Sequence, residues 1–473
     1  MTNRFSRGWN LATPLLLALV VMLVLGYPTS SGTKKELVEA QGDQSMGRDK
    51  MKRDREIAKM VGDVDEDDIE DSVEKLVSFG TRNTLSSQTD PVRGIGAARD
   101  WIFNEFQSYV DSSDGRLTVE KQSFLQEEGL PQPTVITNVV ATLRGTQAES
   151  VDRFYVVSGH YDSRCSNTND AVCDAPGAND DASGVAGVLE MARVMSKYEH
   201  DATVVFMAVA GEEQGLMGSE FFAEQAVQND QDIQGMFTND IIGNSVGGNG
   251  IVNRKQVRLF NEGVPTNETP QEAARRRSIG GENDGRSRQL ARYIDIAADA
   301  YTKDFDVWLL NRRDRFNRGG DQIPFLERGY PAVRFTEPNE DFTKQHQNVR
   351  VEDGVQFGDL IEFVDFDYIE DVTRVNVASL ASLARGPGTP ENARIQGGLS
   401  NDTVLSWDAS TESDLKGYEV VWRDTTAVQW THFRFVGDVT TYTLENISKD
   451  NFMFGVRAID EDGHESPVAF PRP

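Results

Sequence analysis

Residues 202–218 read ATVVFMAVAGEEQGLMG, an apolar stretch that ends at two adjacent carboxylates, Glu212 and Glu213. Its first part, residues 202–209, is apolar on both faces, which is typical of a central strand that lies between layers of helices. Neighbouring carboxylates repel each other, and a carboxylate removed from water without a partner costs several kcal/mol. We therefore expect this strand to end at a site where positive charge meets the two acids.

The segments around this strand alternate between strand and helix patterns. Residues 154–157 form a short apolar strand, and residues 97–110, 184–198 and 368–385 carry apolar side chains at helical spacing. Strand, helix and strand in this order predict an α/β domain with a mixed, largely parallel central sheet sandwiched by helices. Residues 252–288 are polar and rich in Gly, Arg and Asn, so we expect an elaborated loop there.

The composition is that of a soluble protein with two or three domains. The chain has 473 residues, of which 38% are hydrophobic and 26% charged, and this length allows a substantial buried core. Its formal net charge is −28. Because phosphate binding requires a basic face, this charge excludes nucleic acid as a partner.

The first residues resemble an export signal. Arg4 and Arg7 precede a continuous apolar run over residues 15–25, which is well short of the roughly 20 residues that span a bilayer. Small residues follow, so residues 1–31 are predicted to be a cleaved signal peptide, with an uncleaved anchor as the alternative. The mature protein is then secreted or periplasmic, without stable membrane insertion. Residues 32–55 are charged and lack apolar periodicity, which predicts a spacer or prosegment.

The two cysteines of the chain, Cys165 and Cys173, lie in one loop that reads SRCSNTNDAVC. In an exported protein this pattern favours a disulfide. A zinc knuckle would need two further thiolates or histidines nearby, and the loop has none. The predicted bridge would stiffen the loop.

The end of the chain changes to a strand pattern. After a Gly/Pro-rich linker at residues 387–390, short stretches of alternating apolar residues predict an all-β sandwich over residues 391–473. The motifs LSW, DLKGYEVVWR, TYTL and NFMFGVRAIDEDGHES resemble a fibronectin type III domain. The resemblance implies a spacing module or one that contacts a surface or matrix. We expect His432 and His464 to lie on its surface.

Three motifs along the α/β region carry acids and a histidine. They are YVVSGHYDS with His160 and Asp162, PGANDDASG with Asp180, and AGEEQG with the paired glutamates. Each has an ordinary structural explanation when it is taken alone. A packed histidine, a helix cap and a solvated loop end would account for them in turn.

Taken together, the motifs predict a shared site. They fall at or just beyond the carboxyl ends of successive parallel strands, where open α/β sheets bind their ligands. Asp240 in GMFTNDIIGN and His346 in FTKQHQNVR add two more candidates. Two imidazoles and several carboxylates are ligands that zinc accepts, and a bridging carboxylate would allow two ions. One of the two glutamates would then be a ligand and its neighbour the proton carrier.

These motifs closely match the co-catalytic zinc exopeptidases. That family includes secreted bacterial leucyl aminopeptidases, aminopeptidase Y and glutamate carboxypeptidase, and the resemblance runs from about residue 70 to 385. It implies a zinc exopeptidase domain over residues 56–386. In that domain His160 and Asp240 would hold one zinc, and Glu213 and His346 the other.

The resemblance also assigns the remaining residues of the site. Asp180 would bridge the two ions, Glu212 would be the general base, and Asp162 would orient His160. The sequence departs from the family pattern in two places. His346 precedes QNVRVEDG rather than a Thr/Ser-x-x-Asp turn, and Gln322 stands where relatives often carry His, after Asp321, which we expect to shape the pocket.

The resulting functional hypothesis is a metallo-aminopeptidase that acts on peptide substrates. A hydroxide activated by two zinc ions would attack the peptide carbonyl, with Glu212 carrying the proton. Arginines at positions 275–277 and 312–318 could recognise a substrate carboxylate, so a carboxypeptidase or dipeptidase is the first alternative. Salt bridges on an acidic surface would also explain them. Glutaminyl cyclase and a non-catalytic binding protein on the same fold are further alternatives.

Overall fold

The computed structural model describes the backbone of residues 45–46 and all of residues 49–472. The predicted signal peptide, residues 1–31, and most of the predicted spacer, residues 32–55, lie outside the described residues. The first described element is a short strand, β1 (Ser45–Met46). The chain from residue 45 onward forms one compact unit.

Eight strands form the central sheet of the α/β part. In chain order they are β2 (Leu117–Gln126), β3 (Thr134–Leu143), β4 (Arg153–His160), β5 (Thr203–Val209), β6 (Asp232–Asn239), β7 (Gln256–Asn261), β8 (Asp306–Leu310) and β9 (Ala332–Thr336). Their order across the sheet is β2-β3-β5-β4-β6-β9-β7-β8. The neighbours β5, β4, β6 and β9 run parallel, whereas β2, β3 and β7 make antiparallel pairs. The predicted mixed α/β sheet is confirmed.

Helices cover both faces of this sheet. The α-helices of the described residues are α1 (Arg55–Gly62), α2 (Glu66–Ser78), α3 (Ile95–Ser108), α4 (Ala182–Met195), α5 (Met217–Gln228), α6 (Pro270–Ser278), α7 (Arg286–Tyr301), α8 (Gln322–Glu327) and α9 (Phe366–Arg385), of which α6 buries no residue. Short 3-10 helices occupy Val110–Ser113, Gly281–Asn283 and Ile361–Phe363. Within the described residues, each helix is too short or too polar to cross a membrane.

The strand quoted at the outset lies at the centre of this arrangement. All residues of β5 are buried, and alternate side chains enter two different cores. Val204 and Phe206 pack on the side of α3, α4 and α9, whereas Val205 and Met207 pack on the side of α5 and α8. The sequence prediction of a strand covered on both faces is confirmed, because successive side chains of a strand point to opposite faces.

The predicted helices are present, but each begins two residues earlier than its apolar pattern. The structure has them at Ile95–Ser108, Ala182–Met195 and Phe366–Arg385. Asp181 and Asp365 cap the last two helices with their side chains. The first turn after a cap need not carry the apolar stripe, so the pattern alone places the start too late.

The expectation of an elaborated loop over residues 252–288 is wrong. This region contains β7, α6, a 3-10 turn and the start of α7. The helix α6 has a capping box formed by Thr269 and Glu272, with Pro270 in its first turn, and none of its residues is buried. A helix held by its cap and exposed all round has no apolar stripe for the sequence to reveal.

The tail is an all-β arrangement of two sheets. Its strands are preceded by a hairpin of β10 (Arg350–Glu352) and β11 (Val355–Phe357). The strands of the tail itself are β12 (Arg394–Ile395), β13 (Thr403–Ser406), β14 (Leu415–Asp424), β15 (His432–Gly437), β16 (Thr441–Leu444) and β17 (Phe452–Asp460). One sheet has the order β12-β13-β16, and the other has the order β1-β15-β14-β17. The amino-terminal strand β1 therefore completes a sheet of the tail.

Buried charges join the tail to the α/β part. Arg423 of β14 places its Nη2 atom 2.8 Å from both carboxylate oxygens of Asp284, and Arg292 of α7 donates to the same carboxylate at 2.8 Å. The expectation that His464 lies on the surface is wrong, because its side chain is 8% exposed and its Nδ1 atom is 2.9 Å from Asp460 Oδ2. The partnership with a carboxylate makes burial of this imidazole favourable.

Candidate metal centre

The predicted site residues meet at one edge of the sheet. His160 is the last residue of β4, Asp240 directly follows β6, and Glu212 and Glu213 follow β5. These three strands are parallel neighbours, so their carboxyl ends lie side by side. Asp180 comes from the turn before α4, and His346 comes from the loop between β9 and β10.

Asp180 connects the two histidines. Its Oδ1 atom is 3.1 Å from His160 Nε2, and its Oδ2 atom is 2.9 Å from His346 Nε2. One carboxylate thus presents a different oxygen to each imidazole. This is the arrangement that a carboxylate shared by two ions requires.

Two groups of side chains could each hold a divalent ion. His160, Glu212 and Asp240 each place a ligand atom within 4.8 Å of the others, and so do Asp180, Glu213 and His346. In the second group Glu213 Oε2 is 3.2 Å from His346 Nε2. Imidazole nitrogen and carboxylate oxygen are the donors that zinc takes. The structure therefore brings together all five predicted ligands and Glu212.

The loop of Asp180 is fixed by the next residue and by a residue far along the chain. Asp181 accepts hydrogen bonds from the backbone N–H groups of His160 (2.9 Å) and Gly184 (3.0 Å). Asp359 accepts from the backbone N–H of Asp180 (2.7 Å) and of Asn179 (2.9 Å). The second acid of the DD pair is therefore a structural clamp between β4 and α4.

Asp162 acts mainly on the glutamate turn. Its carboxylate accepts from the backbone N–H of Glu212 (3.3 Å) and of Glu213 (3.2 Å), and from the Thr84 hydroxyl (3.1 Å). His160 Nδ1 lies 3.1 Å from the main-chain carbonyl oxygen of Asp162 and 3.7 Å from its carboxylate. The backbone carbonyl of Asp162 is therefore the nearer partner of the imidazole.

The pKa shifts within the site show that its buried acids favour a nearby positive charge. Burial raises the pKa of Glu212 well above its usual value, and the charge of Glu213 adds to the rise. Burial also acts on Asp180, but the hydrogen bonds from His160 and His346 hold its pKa well below the usual value. Although burial lowers the pKa of His346, Asp180 and Glu213 raise it to about 10. Ionised carboxylates that are buried together are stabilised by nearby positive charge. Divalent ions can supply this charge while both imidazoles stay neutral.

Two carboxylates of the site have buried oxygens without a hydrogen bond. Glu213 Oε1 and both oxygens of Asp321 are buried without a hydrogen bond. Burial raises the pKa of Asp321 to about 6, and the charges of His160 and Asp240 act on it. Buried acceptors are rarely left unpaired. The donor set thus fits metal ions, and Asp321 is close enough to His160 and Asp240 for their charges to act on it; its role in a substrate pocket stays a prediction.

Sequence reasoning missed three residues that support the centre. Arg82 is fully buried, and its guanidinium donates to the carbonyl of Pro176 (2.5 Å) and of Gly177 (2.9 Å), just before Asp180. Asp359 holds the same loop, and Arg334 contacts Asp240. Of these three residues, only Arg334 is marked in the sequence, because it is a charged residue within the apolar strand AVRFT.

The arginine clusters are largely occupied by acids. Arg315 and Arg318 pair with Glu340 at 3.2 and 2.5 Å, and Arg276 pairs with Glu268. Burial raises the pKa of Glu340, but the guanidinium groups outweigh it and lower that pKa to about 2. These contacts favour the salt-bridge explanation of the clusters.

Cys165 and Cys173 are bonded to each other. Together with Asp170 they form a third group with ligand atoms within 4.8 Å. Because both sulfurs are consumed by the bond between them, this group offers no thiolate to a metal.

Known proteins are similar in sequence to this chain over most of its length. A model of Peptidase family M28 matches residues 138–353. A probable zinc metalloprotease of Leptosphaeria maculans is 47% identical over 424 residues, which cover 89% of this chain and 97% of that protein. One of Pyricularia oryzae is 48% identical over 430 residues, with 89% and 85% covered.

Among solved structures, the LapA aminopeptidase of Legionella pneumophila matches with a TM-score of 0.49 and 16% identity, over 73% of this chain and 78% of that one. The two sequence relatives are fungal proteins, whereas the motifs resemble bacterial leucyl aminopeptidases among others. The family model spans the segments from β3 to the loop that carries His346, which supply every predicted ligand. On this match and on the identity to relatives covered almost from end to end, the chain belongs to peptidase family M28.

Proposed function

We propose that the chain is a zinc-dependent aminopeptidase with two metal ions. The observation that carries the proposal is the position of Asp180, whose two oxygens face His160 and His346 at 3.1 and 2.9 Å. The relatives named as probable zinc metalloproteases support the choice of metal and of reaction class.

In this proposal His160 and Asp240 hold one ion, Glu213 and His346 hold the other, and Asp180 bridges them. When bound, the pair of zinc ions supplies a Lewis acid for the peptide carbonyl and lowers the pKa of water towards neutrality. The protein keeps the ligands in place through the hydrogen bonds of Asp181 and Asp359 described above. Such partners orient the ligands and are part of the site's function.

Glu212 is the proposed general base. Its backbone N–H is fixed by Asp162, while its carboxylate has no cationic partner of its own and lies in the group of His160 and Asp240. The carboxylate takes a proton from the attacking water and delivers it to the departing amine.

An excess of carboxylates suits a substrate with a protonated amino terminus. The buried Asp321 is one acid that could face this group. One observation favours a carboxypeptidase or dipeptidase instead, because Arg164 Nη1 lies 3.9 Å from Glu213 with its side chain 20% exposed. The Arg164 guanidinium already donates to the carbonyls of Cys165 and Ser166, but its Nη1 atom, beside a proposed ligand, could bind a substrate carboxylate.

We further propose that the protein is exported and that its tail is a fibronectin type III-like module. The apolar run near the amino terminus and the Cys165–Cys173 bond support export. The two packed sheets support the second assignment. Contact with a surface or matrix through the tail is part of this proposal.

Matched peptides test the function. We expect hydrolysis of a peptide with a free amino terminus and a blocked carboxyl terminus, and none of the amino-blocked peptide. The opposite preference would establish the carboxypeptidase. Zinc analysis on the same sample tests the alternative of a non-catalytic binding protein, which would hold near zero rather than near two ions per chain.

A further inference from the structure

Arg334 is a cation enclosed within the central sheet. It lies in β9, its side chain is 0% exposed, and its Nη2 atom is 2.8 Å from Asp240 Oδ1. A charge removed from water in this way persists only with close partners. Arg334 therefore contacts directly one of the carboxylates that the proposed function assigns to a metal ion.

A second set of residues holds the guanidinium against Asp240. Its Nη1 atom donates to the carbonyl of Gly319 (2.5 Å) and lies 3.4 Å from Asp314 Oδ2. Asp314 in turn accepts from Gln322 Nε2 at 2.5 Å and pairs with Arg315 at 3.1 Å. Arg315 and Gln322 thus both contact Asp314, which in turn contacts Arg334.

We propose that Arg334 is a positioning residue that fixes the carboxylate of Asp240 and lowers the affinity of the His160–Asp240 position for its ion. The inference rests on the proposed two-metal function. Arginine stays protonated in proteins, so its charge is permanent. A permanent cation that shares Asp240 with a divalent ion repels that ion and draws electron density from the shared ligand.

In the part of the chain that the structure describes, no fully enclosed guanidinium is paired with a ligand carboxylate of the other metal position within 4.0 Å. Its closest guanidinium, Arg164, is 3.9 Å from Glu213 and one fifth exposed, whereas Arg334 is fully enclosed. Solvent screens the first interaction much more than the second. The two positions are therefore unequal because of a residue that binds neither ion.

The test measures zinc binding without reference to activity. The double variant Arg334→Gln with Asp314→Asn removes one buried charge of each sign, and Arg315 keeps its partner Glu340 at 3.2 Å. Zinc per chain is measured over a series of buffered free zinc concentrations. We expect the more weakly held zinc to bind at least about tenfold more tightly in the double variant than in the unmodified protein.

A matched control separates this effect from the loss of any buried ion pair. Arg153 and Glu412 form a pair in which both side chains are 6% exposed, and Arg153 lies at the opposite end of β4 from His160. The variant Arg153→Gln with Glu412→Gln should bind zinc as the unmodified protein does. Arg334→Lys keeps the charge and should restore the weaker affinity. After loading with cobalt(II), the visible absorption spectrum of the double variant should differ from that of the loaded unmodified protein, whereas the spectrum of the loaded Arg153→Gln with Glu412→Gln control should not.

An unchanged or weakened zinc affinity in the double variant Arg334→Gln with Asp314→Asn would overturn the inference, and so would an equal change in the control variant Arg153→Gln with Glu412→Gln. These results would leave the proposed function intact if the unmodified chain holds two zinc ions. A chain that binds no zinc in any form would instead overturn the proposed function. The two failures are therefore distinguishable.

Discussion

Ser166 and Asn348 exchange two hydrogen bonds between loops that are far apart in the sequence. The Ser166 N–H donates to Asn348 Oδ1 at 3.2 Å, and the Asn348 N–H donates to Ser166 Oγ at 3.0 Å. Ser166 lies within the loop closed by the disulfide, and Asn348 lies two residues after His346. The side chain of His346 is 33% exposed, compared with 1–5% for the other proposed ligands. The disulfide loop therefore supports the ligand that the fold encloses least.

Loss of the disulfide should weaken zinc binding. In the variant Cys165→Ser with Cys173→Ser, the loop gains freedom and holds His346 less firmly, so we expect about tenfold weaker retention of zinc. The measurement is zinc per chain after dialysis against a graded chelator. Ser166→Ala is the matched control, since it removes one of the two hydrogen bonds and should give a smaller loss. Retention equal to that of the unmodified protein would contradict the support role.

Substitution of each of the two adjacent glutamates should have a different effect. Glu212→Gln should retain zinc and lose activity by at least about 100-fold, because the proton carrier is absent. Glu213→Gln should lose zinc, because a proposed ligand is absent. Zinc content and turnover are measured on the same preparations. If Glu212→Gln kept most of its turnover, the roles of the two residues would be wrong.

A buried histidine away from the metal centre should make stability depend on pH. His200 Nε2 is 3.2 Å from the carbonyl oxygen of Met195, and its Nδ1 atom has no hydrogen-bond partner. Burial lowers the pKa of His200 to about 3. Because the folded-state pKa lies below the unfolded value of about 6.5, this residue's stabilising contribution is present above pH 6.5 and is lost as the pH falls towards 3.

At pH 5 the loss attributable to His200 is about 2 kcal/mol relative to neutral pH. His200→Gln can retain a donor to Met195 and does not titrate, so its unfolding free energy should fall by about that much less between pH 7.5 and 5. Urea unfolding of both proteins at the two pH values gives the comparison. The acidic residues titrate in the same way in both proteins, so their contribution to the change in unfolding free energy cancels in the comparison. Equal losses in the two proteins would rule out His200 as the source.

The junction between the tail and the α/β part should depend on Asp284. Its side chain is 0% exposed and pairs with Arg423 and Arg292, each at 2.8 Å. Asp284→Ala leaves both guanidinium groups buried without this partner, which costs about 3–5 kcal/mol. We expect faster proteolysis between residues 386 and 393 and a lower thermal midpoint.

The control for this junction is Asp174→Ala. Asp174 pairs with Arg93 at the same distance, 2.8 Å, but the two side chains are 73% and 42% exposed. An exposed pair contributes about 0–1 kcal/mol, so this variant should resemble the unmodified protein. Equal sensitivity of the two variants to protease would show that Asp284 does not secure the tail.

Much of the metal centre could be predicted because its signals are local. The apolar strand before Glu212, the strand before His160 and the helix after Asp180 identify the carboxyl edge of a parallel sheet. The supporting residues could not be predicted in this way. Asp359 holds the Asp180 loop from 179 positions away, and no sequence pattern near Asp359 predicts that contact.

The chain order of apolar and acidic residues determined by itself the central strand β5, the mixed α/β class and the residues of the candidate metal centre. These features follow from hydrophobic periodicity and from the position of acids at strand ends, which are properties of short segments. Tertiary structure alone decided that Asp180 lies between two histidines, that Arg334 shares Asp240, and that β1 completes a sheet of the tail. Each of these is a contact between distant segments, and its energy depends on burial and distance that exist only after the chain has folded.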